Sequence, residues 1–111
     1  MYVLNGVMYV LTGLRHVWSI LGDNRYMQAF ELGLIDLKKK IHTFDGRFFT
    51  YYDSLGNPAN EKYHKIHVRL LDILAASTDD RRLASFRDRW EHMVRGYRLK
   101  EPMIFLTCLL T

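Results

Sequence analysis

The chain has 111 residues, enough for one domain with a hydrophobic core and too few for several. Apolar residues make up 49% of it and aromatic residues 14%, which argues against intrinsic disorder. Lysine and arginine (16) exceed aspartate and glutamate (12), and the net charge of +4 suits a polyanionic partner, either nucleic acid or acidic polysaccharide. The single cysteine, Cys108, excludes an internal disulfide and a cysteine-rich metal site, and leaves the cellular compartment open.

Two helices are predicted in the first part of the chain, over about residues 5–22 and 24–41. Apolar residues recur there at intervals of three and four, as on one face of a helix. Asn5 and Asp23 are suitable N-caps, and Gly22 is a suitable stop between the helices. The predicted buried stripes are Val7, Leu11, Leu14, Trp18 and Leu21 in the first helix, and Met27, Phe30, Leu34, Leu37 and Ile41 in the second.

The periodicity changes between residues 43 and 53. An Asp45-Gly46 turn signal is followed there by aromatic and β-branched residues, a pattern typical of strands joined by a tight turn. The segment therefore predicts a short β-hairpin, inserted after the first two helices.

A second pair of helices is predicted over about residues 60–76 and 79–96. Asn60 is a suitable N-cap for the first of them, and Thr78 or Asp79 for the second. The predicted buried residues are Ile66, Leu70, Ile73 and Leu74, then Leu83, Phe86, Trp90, Met93 and Val94. The fold class is thus mainly α: two antiparallel helical hairpins with a short inserted β-hairpin, forming a single domain over residues 1–111.

The two helical hairpins share a weak internal similarity. One constant shift along the chain aligns Leu14 with Leu70, Asp23 with Asp79, Arg25 with Arg81, Met27 with Leu83 and Phe30 with Phe86. This similarity is typical of a repeated helical hairpin. Common caps and core periodicity would produce the same pattern without repetition.

Four short motifs carry a resemblance to a known family. They are Leu4-Asn5-Gly6, Thr50-Tyr51-Tyr52-Asp53, Tyr63-His64-Lys65-Ile66-His67 and Phe86-Arg87-Asp88-Arg89-Trp90. In order and spacing, over about residues 4–92, the chain resembles the C-terminal domain of the D-glucuronyl C5-epimerases. The resemblance implies an α/α toroid, a ring of helical hairpins with the active site in its central groove. This chain would hold the last two hairpins of that ring.

The resemblance also implies an activity, C5 epimerisation of hexuronic acid residues in an acidic polysaccharide, with Tyr52 and Tyr63 as catalytic residues. The reaction removes the proton next to the carboxylate and returns one on the opposite face, so it needs an acid–base group on each face and cations near the carboxylate. A phenol ordinarily titrates near about pH 10, so a tyrosine base needs positive charge nearby. With Asn60 as N-cap, Tyr63 lies in the first helical turn, near the positive end of the helix dipole.

Candidate substrate-binding residues are Asn5, Arg47, His64, His67 and Arg69. His67 shares a helix face with Tyr63 and is suited to bond its phenol or the substrate carboxylate. The arginines are candidates for holding the carboxylate, and Asn5 either binds a sugar hydroxyl or caps its helix. The two histidines lack the i, i+4 spacing of a helical metal site, so neither metal nor cofactor is predicted. Without the resemblance, packing would be the commoner role for these tyrosines and histidines.

The expected partners follow from the size of the chain. Two hairpins taken from a ring would expose apolar edges, which favours self-association or docking on the missing part of the toroid, and the sequence leaves open whether the isolated chain is active. The alternative function is a non-catalytic helical module for glycan binding or protein assembly. No nucleic-acid partner is predicted, because the basic residues are dispersed. No membrane span is predicted, because the apolar tail Met103–Leu110 is about half the necessary length.

Overall fold

A computed structural model describes residues 1–46 and 48–93, and within these ranges the chain is mainly helical, as predicted. Helix α1 spans Leu4–Leu21, α2 spans Asn24–Lys40 and α3 spans Glu61–Thr78. A further helix, α4, covers residues 81–93, and a short 3₁₀ helix, Ile41–Phe44, follows α2. The predicted end of the fourth helix at residue 96 and the apolar tail lie outside the described residues.

The connection between α1 and α2 is the tight turn that the sequence predicts. Gly22 adopts the left-handed conformation, with φ of 69°, and its N–H bonds the carbonyl of Trp18 at 2.8 Å. A residue without a Cβ adopts this conformation at no steric cost. The carboxylate of Asp23 then accepts the N–H of Arg25 at 2.9 Å and caps α2. The helices therefore reverse direction within two residues and pack side by side.

The connection between α3 and α4 has the same design, displaced by one residue from the sequence prediction. Asp79 is the left-handed residue here, with φ of 52°. Asp80 is the N-cap of α4, because its Oδ1 accepts the backbone N–H groups of Arg82 at 2.9 Å and Leu83 at 3.0 Å. The prediction of Thr78 or Asp79 as the cap was wrong. The left-handed residue that ends α3 occupies one position before the cap, just as Gly22 does.

The start of α1 also differs from the prediction. Val3 occupies the N-cap position and makes no side-chain capping bond, so the interpretation of Asn5 as a cap was wrong. The N–H of Leu4 instead donates to the carbonyl of Tyr52 at 3.1 Å. One unpaired amide of the helix end is thus satisfied by a distant loop, which fixes this loop against α1.

The loop between the 3₁₀ helix and α3 holds isolated antiparallel bridges where paired hairpin strands were predicted. Its bridges are Val3 with Asp53, Asp45 with Thr50 and Tyr51 with Pro58. A buried carboxylate takes the place of a strand ladder: Asp53 accepts the N–H groups of Leu55 at 3.0 Å and Asn57 at 3.2 Å. The loop is therefore held by side-chain bonds and by α1, and no β-strand occurs within residues 1–46 and 48–93.

The hydrophobic core lies where α1 contacts both α2 and α3. Its buried side chains are Leu4, Met8, Leu11, Phe30, Leu37, Ile41, Phe44, Leu70, Leu71, Leu74, Ala75, Leu83 and Trp90. The predicted stripes of α2 and α4 are confirmed where they are described. Those of α1 and α3 were partly wrong, because Leu21 is 63% exposed and Ile73 is 47% exposed. Since α1 packs against two neighbours, its buried face extends to Leu4 and Met8, beyond a single stripe.

A search for membrane-spanning segments gives a negative result for the described part of the chain. No helix in residues 1–46 and 48–93 has the length and apolar character that crossing a bilayer requires.

Candidate active site

Tyr52 and Tyr63, the two predicted catalytic residues, lie against each other. Their ring centroids are 5.0 Å apart and the ring planes are inclined by 71°, an edge-to-face contact. Both side chains are half-buried, so each keeps part of its surface open to solvent. The fold thus brings a loop phenol and a helix phenol to one partly open place on the surface.

The backbone of Tyr52 is held on both sides. Its N–H donates to the carbonyl of Asn57 at 2.6 Å, and its own carbonyl accepts the N–H of Leu4 at 3.1 Å. The neighbouring Ser54 is also tied to the chain start, because its N–H donates to the carbonyl of Tyr2 at 2.8 Å. These bonds fix the position from which the Tyr52 side chain projects.

Tyr63 is fixed by the predicted cap of α3. The side-chain oxygen of Asn60 accepts the Tyr63 N–H at 2.9 Å, which confirms Asn60 as N-cap and places Tyr63 in the first turn. The ammonium group of Lys62 lies 5.9 Å from the centre of the Tyr63 ring. The helix dipole and the adjacent lysine therefore both place positive charge near Tyr63.

A buried polar cluster lies beside the tyrosine pair and joins the same two elements. We define the Thr50 cluster as Thr50, His64 and His67, all of which are at most 3% exposed. The N–H of Thr50 donates to His64 Nδ1 at 2.9 Å, and its hydroxyl lies 2.9 Å from the same nitrogen and 2.7 Å from His67 Nδ1. The loop is thus anchored to α3 through two imidazole rings.

The proton position on His64 follows from its partners. Because its Nδ1 accepts the Thr50 N–H, the ring proton is on Nε2, which donates to the backbone carbonyl of Trp90 at 2.9 Å. The indole N–H of Trp90 in turn donates to Asp45 Oδ1 at 3.1 Å, and the other oxygen of Asp45 pairs with Arg89 at 2.9 Å. A neutral His64 therefore connects the loop, α3 and α4.

Both histidines of the Thr50 cluster are held in the neutral form. Burial lowers the pKa of His64, an effect only partly offset by its hydrogen bond to the carbonyl of Trp90. Burial also lowers the pKa of His67 to about 4, with a further contribution from the nearby His64. A buried imidazole disfavours its charged form because the interior solvates charge poorly.

The substrate-binding role of the two histidines stays a prediction, and the structure shows that both are buried. Neither ring is exposed enough to touch a substrate in this structure, and the polar contacts of both rings run to Thr50 and Trp90. His67 Nε2 is buried without a hydrogen-bond partner among the described residues. Both histidines are thus buried, whereas the two tyrosines are half-buried.

The other three candidate residues are Asn5, Arg69 and Arg47, and the structure describes the first two. Asn5 lies in the first turn of α1, and its Oδ1 is buried without a partner in the described part of the chain. Arg69 is exposed and lines a separate charged groove between α3 and α4, together with Asp72 and Arg87. Arg47 lies outside the described residues.

Sequence reasoning missed Thr50 and Trp90 as parts of this site. Both stand inside the quoted motifs, but their roles depend on contacts across 14 to 26 positions of the chain, and no local pattern reports such contacts. A usable signal was the pairing of a threonine two residues before Tyr52 with a histidine four residues after Tyr63. Within residues 1–46 and 48–93, no group of three metal-ligating side chains comes together.

The comparisons with known proteins identify the family of this chain. The family model described as the D-glucuronyl C5-epimerase C-terminus matches residues 1–92. A D-glucuronyl C5-epimerase of Caenorhabditis elegans is 32% identical over 118 aligned residues, which cover 89% of this chain and 19% of that protein. The chain therefore spans about a fifth of the length of this relative. The matched region includes both tyrosines and the whole Thr50 cluster, and the chain belongs to the D-glucuronyl C5-epimerase C-terminal family.

Proposed function

We propose that this chain carries the proton-transfer site of a C5-epimerase that acts on hexuronic acid residues of an acidic polysaccharide. The observation that carries the proposal is the contact of Tyr52 with Tyr63, whose rings are 5.0 Å apart although they stand on different elements. The name of the relative, a glucuronyl epimerase, supports a glucuronic acid residue as the substrate unit.

The proposed reaction uses one phenol on each face of the sugar. Because the two rings are in contact in this structure, with centroids 5.0 Å apart, they have to move apart when the sugar binds between them. One phenolate removes the C5 proton, and the electron pair of the broken C–H bond moves into the carboxylate to give an enediolate. The second phenol then donates its proton to C5 from the opposite face, which inverts the configuration. The charge that develops on the carboxylate needs nearby cations, and the Lys62 ammonium group, 5.9 Å from the centre of the Tyr63 ring, is a candidate.

The supporting residues divide into two groups. We propose that His64 and His67 hold the tyrosine-bearing elements together and do not contact the sugar, because both are buried. Asn5 is proposed for a sugar hydroxyl, since the residue is only half-buried and Leu4 beside it is bonded to Tyr52. Arg47 stays a candidate for the carboxylate, whereas Arg69 faces a different groove.

We further propose that the exposed apolar surface of α1 and α2 binds the remaining helices of a helical ring. An apolar groove of about 370 Å³ lies between α1 and α2, and its lining includes Val3, Val7 and Val10. Leu32 and Val10 stand 71% and 61% exposed on this hairpin. Apolar surface of this kind marks an interaction site. Sedimentation should show either self-association or binding to the preceding part of a longer family member, and a well-behaved monomer that binds neither would contradict the proposal.

Deuterium uptake at C5 tests the catalytic proposal. The chain, shown to be folded by circular dichroism, is incubated in heavy water with an unsulfated glucuronic acid polymer and followed by proton NMR. We expect exchange at C5 that is lost in Tyr63→Phe and retained in Tyr9→Phe, a matched change at an exposed tyrosine of α1. Absence of exchange from the folded chain would contradict the proposal and favour a non-catalytic module for glycan binding or assembly.

A further inference from the structure

Two of the side-chain contacts that join the loop to α3 lie in matching order along both elements. Tyr52 contacts Tyr63 through their rings, and Thr50 contacts His67 through its hydroxyl, 2.7 Å from Nδ1. On α3, the tyrosine and the histidine are four residues apart and thus share one face, about 6 Å from each other along the axis.

The loop presents its two side chains at a similar spacing. Thr50 and Tyr51 both form antiparallel bridges, so the backbone is extended there. Residues two apart on an extended segment project to the same side, separated by roughly 7 Å. Thr50 and Tyr52 therefore face α3 together, and the two contacts act like two rungs between the loop and the helix.

From this register we propose that Thr50 is a positioning residue, whose hydroxyl sets the separation of the Tyr52 and Tyr63 rings. The inference rests on the proposed function of the two tyrosines for its catalytic consequence, but its structural content stands independently. The contact between Tyr52 and Tyr63 lies at the partly open surface, whereas the contact between Thr50 and His67 is fully buried and hydrogen-bonded. The buried contact therefore determines the register and the exposed contact follows it.

A substitution of Thr50 changes only the bonds of its side chain, because its other hydrogen bonds are made by the backbone. Its N–H donates to His64 Nδ1 at 2.9 Å and its carbonyl accepts the N–H of Ala59 at 3.0 Å. Both backbone bonds persist when the side chain changes. Replacement by valine keeps the shape and removes only the hydroxyl, whereas replacement by serine keeps the hydroxyl and removes a methyl group. The pair isolates the contacts of the hydroxyl, which lies 2.7 Å from His67 Nδ1 and 2.9 Å from His64 Nδ1.

The test compares Thr50→Val with Thr50→Ser in two measurements. Nuclear Overhauser contacts between the two tyrosine rings report their separation without any substrate, and the C5 exchange assay reports kcat and KM. We expect Thr50→Val to weaken the ring contacts and to lower kcat by about 10- to 100-fold, because misplacement by about 1 Å has costs of this size. We expect KM to stay within about three-fold and Thr50→Ser to keep kcat within about three-fold.

A second pair of variants covers the case in which Thr50→Val does not fold. His67→Asn places a polar atom near the position of Nδ1, whereas His67→Leu places none, so only the first should retain the ring contacts. Ring contacts and kcat that are unchanged in both Thr50→Val and His67→Leu would overturn the inference. If the parent chain shows no exchange, the proposed function fails, but the ring contacts of the same variants still decide the role of Thr50.

Discussion

The two helical hairpins share one design and differ in the side chains that their first helices, α1 and α3, bury. Helices α1 and α3 each contain 18 residues and each end at a left-handed residue. The shift that aligns Leu14 with Leu70 also aligns the buried Met8 with His64 and the buried Leu11 with His67. The first hairpin thus buries apolar side chains where the second buries imidazoles.

This difference explains why the candidate site forms on the second hairpin. Two buried imidazoles need polar partners, whereas buried aliphatic side chains do not. The loop before α3 supplies these partners through Thr50, and in doing so it places Tyr52 against Tyr63. Directional bonds hold the site, and non-directional packing holds the first hairpin.

The largest effect is expected from replacing the buried His64 by an apolar side chain, which is the type of residue that the first hairpin buries at the aligned position. His64→Leu leaves the Thr50 N–H and the Trp90 carbonyl without partners, so we expect the free energy of unfolding to fall by roughly 2 to 6 kcal/mol. Met8→Leu at the aligned position is the matched control, with an expected loss below about 1.5 kcal/mol. Urea unfolding measures both, and equal losses would contradict the contrast between the hairpins.

The second effect is the pH dependence of stability that buried neutral histidines produce. In the folded chain the pKa of His67 is about 4, below its ordinary value of 6.5, so the unfolded chain binds the proton more tightly. Stability should be complete above pH 6.5 and fall as the pH drops from there towards 4, by a total on the order of 3 kcal/mol.

Thermal unfolding at a series of pH values checks this dependence. His67→Phe should reduce the slope of the profile between pH 6.5 and 4 and leave the part that comes from His64, whose pKa burial also lowers, whereas His42→Gln, a change at an exposed histidine, should leave the slope as in the parent chain. A parent profile that is flat in this range would contradict the assignment of His67 as a buried neutral group.

A smaller effect separates the two N-caps. Asn60→Ala and Asp23→Ala each remove one capping bond, so each should lower the free energy of unfolding by about 0.5 to 2 kcal/mol. The Asn60 bond is made to Tyr63 itself, so we expect only Asn60→Ala to reduce C5 exchange as well. The same reduction from Asp23→Ala would show that exchange follows general stability and not the position of Tyr63.

The smallest effect concerns the left-handed residue that ends α3. Asp79 adopts φ of 52° where the first hairpin has Gly22, so Asp79→Gly should relieve backbone strain and raise the free energy of unfolding by up to about 1 kcal/mol. Gly22→Ala should lower it by a similar or larger amount. Chemical denaturation with both variants tests the pair, and a destabilised Asp79→Gly would mean that the aspartate side chain contributes more than its conformation costs.

Local signals in the sequence were sufficient for the helices and for much of the core. Asp23, Gly22 and Asn60 act as predicted, because caps and stops depend on residues within one helical turn. Asn5 failed as a cap because the Tyr52 carbonyl satisfies the helix start from a distant loop. The predicted hairpin became isolated bridges for a related reason, since side chains and α1 satisfy its backbone.

The sequence was sufficient to name the two tyrosines of the candidate site and not to give the arrangement around them. The resemblance to the epimerase family indicated Tyr52 and Tyr63, and in the structure their rings are in contact. The burial of His64 and His67 was not predictable, because it depends on Thr50 and Trp90, which reach them only in the folded chain. Spacing places a side chain on a helix face, but whether that face is open depends on what packs on it.

The central claim is that the two phenols act on opposite faces of one sugar, and a single measurement tests it most directly. Tyr52→Phe and Tyr63→Phe are each incubated in heavy water with a glucuronic acid polymer, and NMR follows both deuterium at C5 and the configuration of C5. Our account predicts that neither variant inverts C5 and that one of them still exchanges the proton with retention. Inversion at the parent rate in either variant would contradict it.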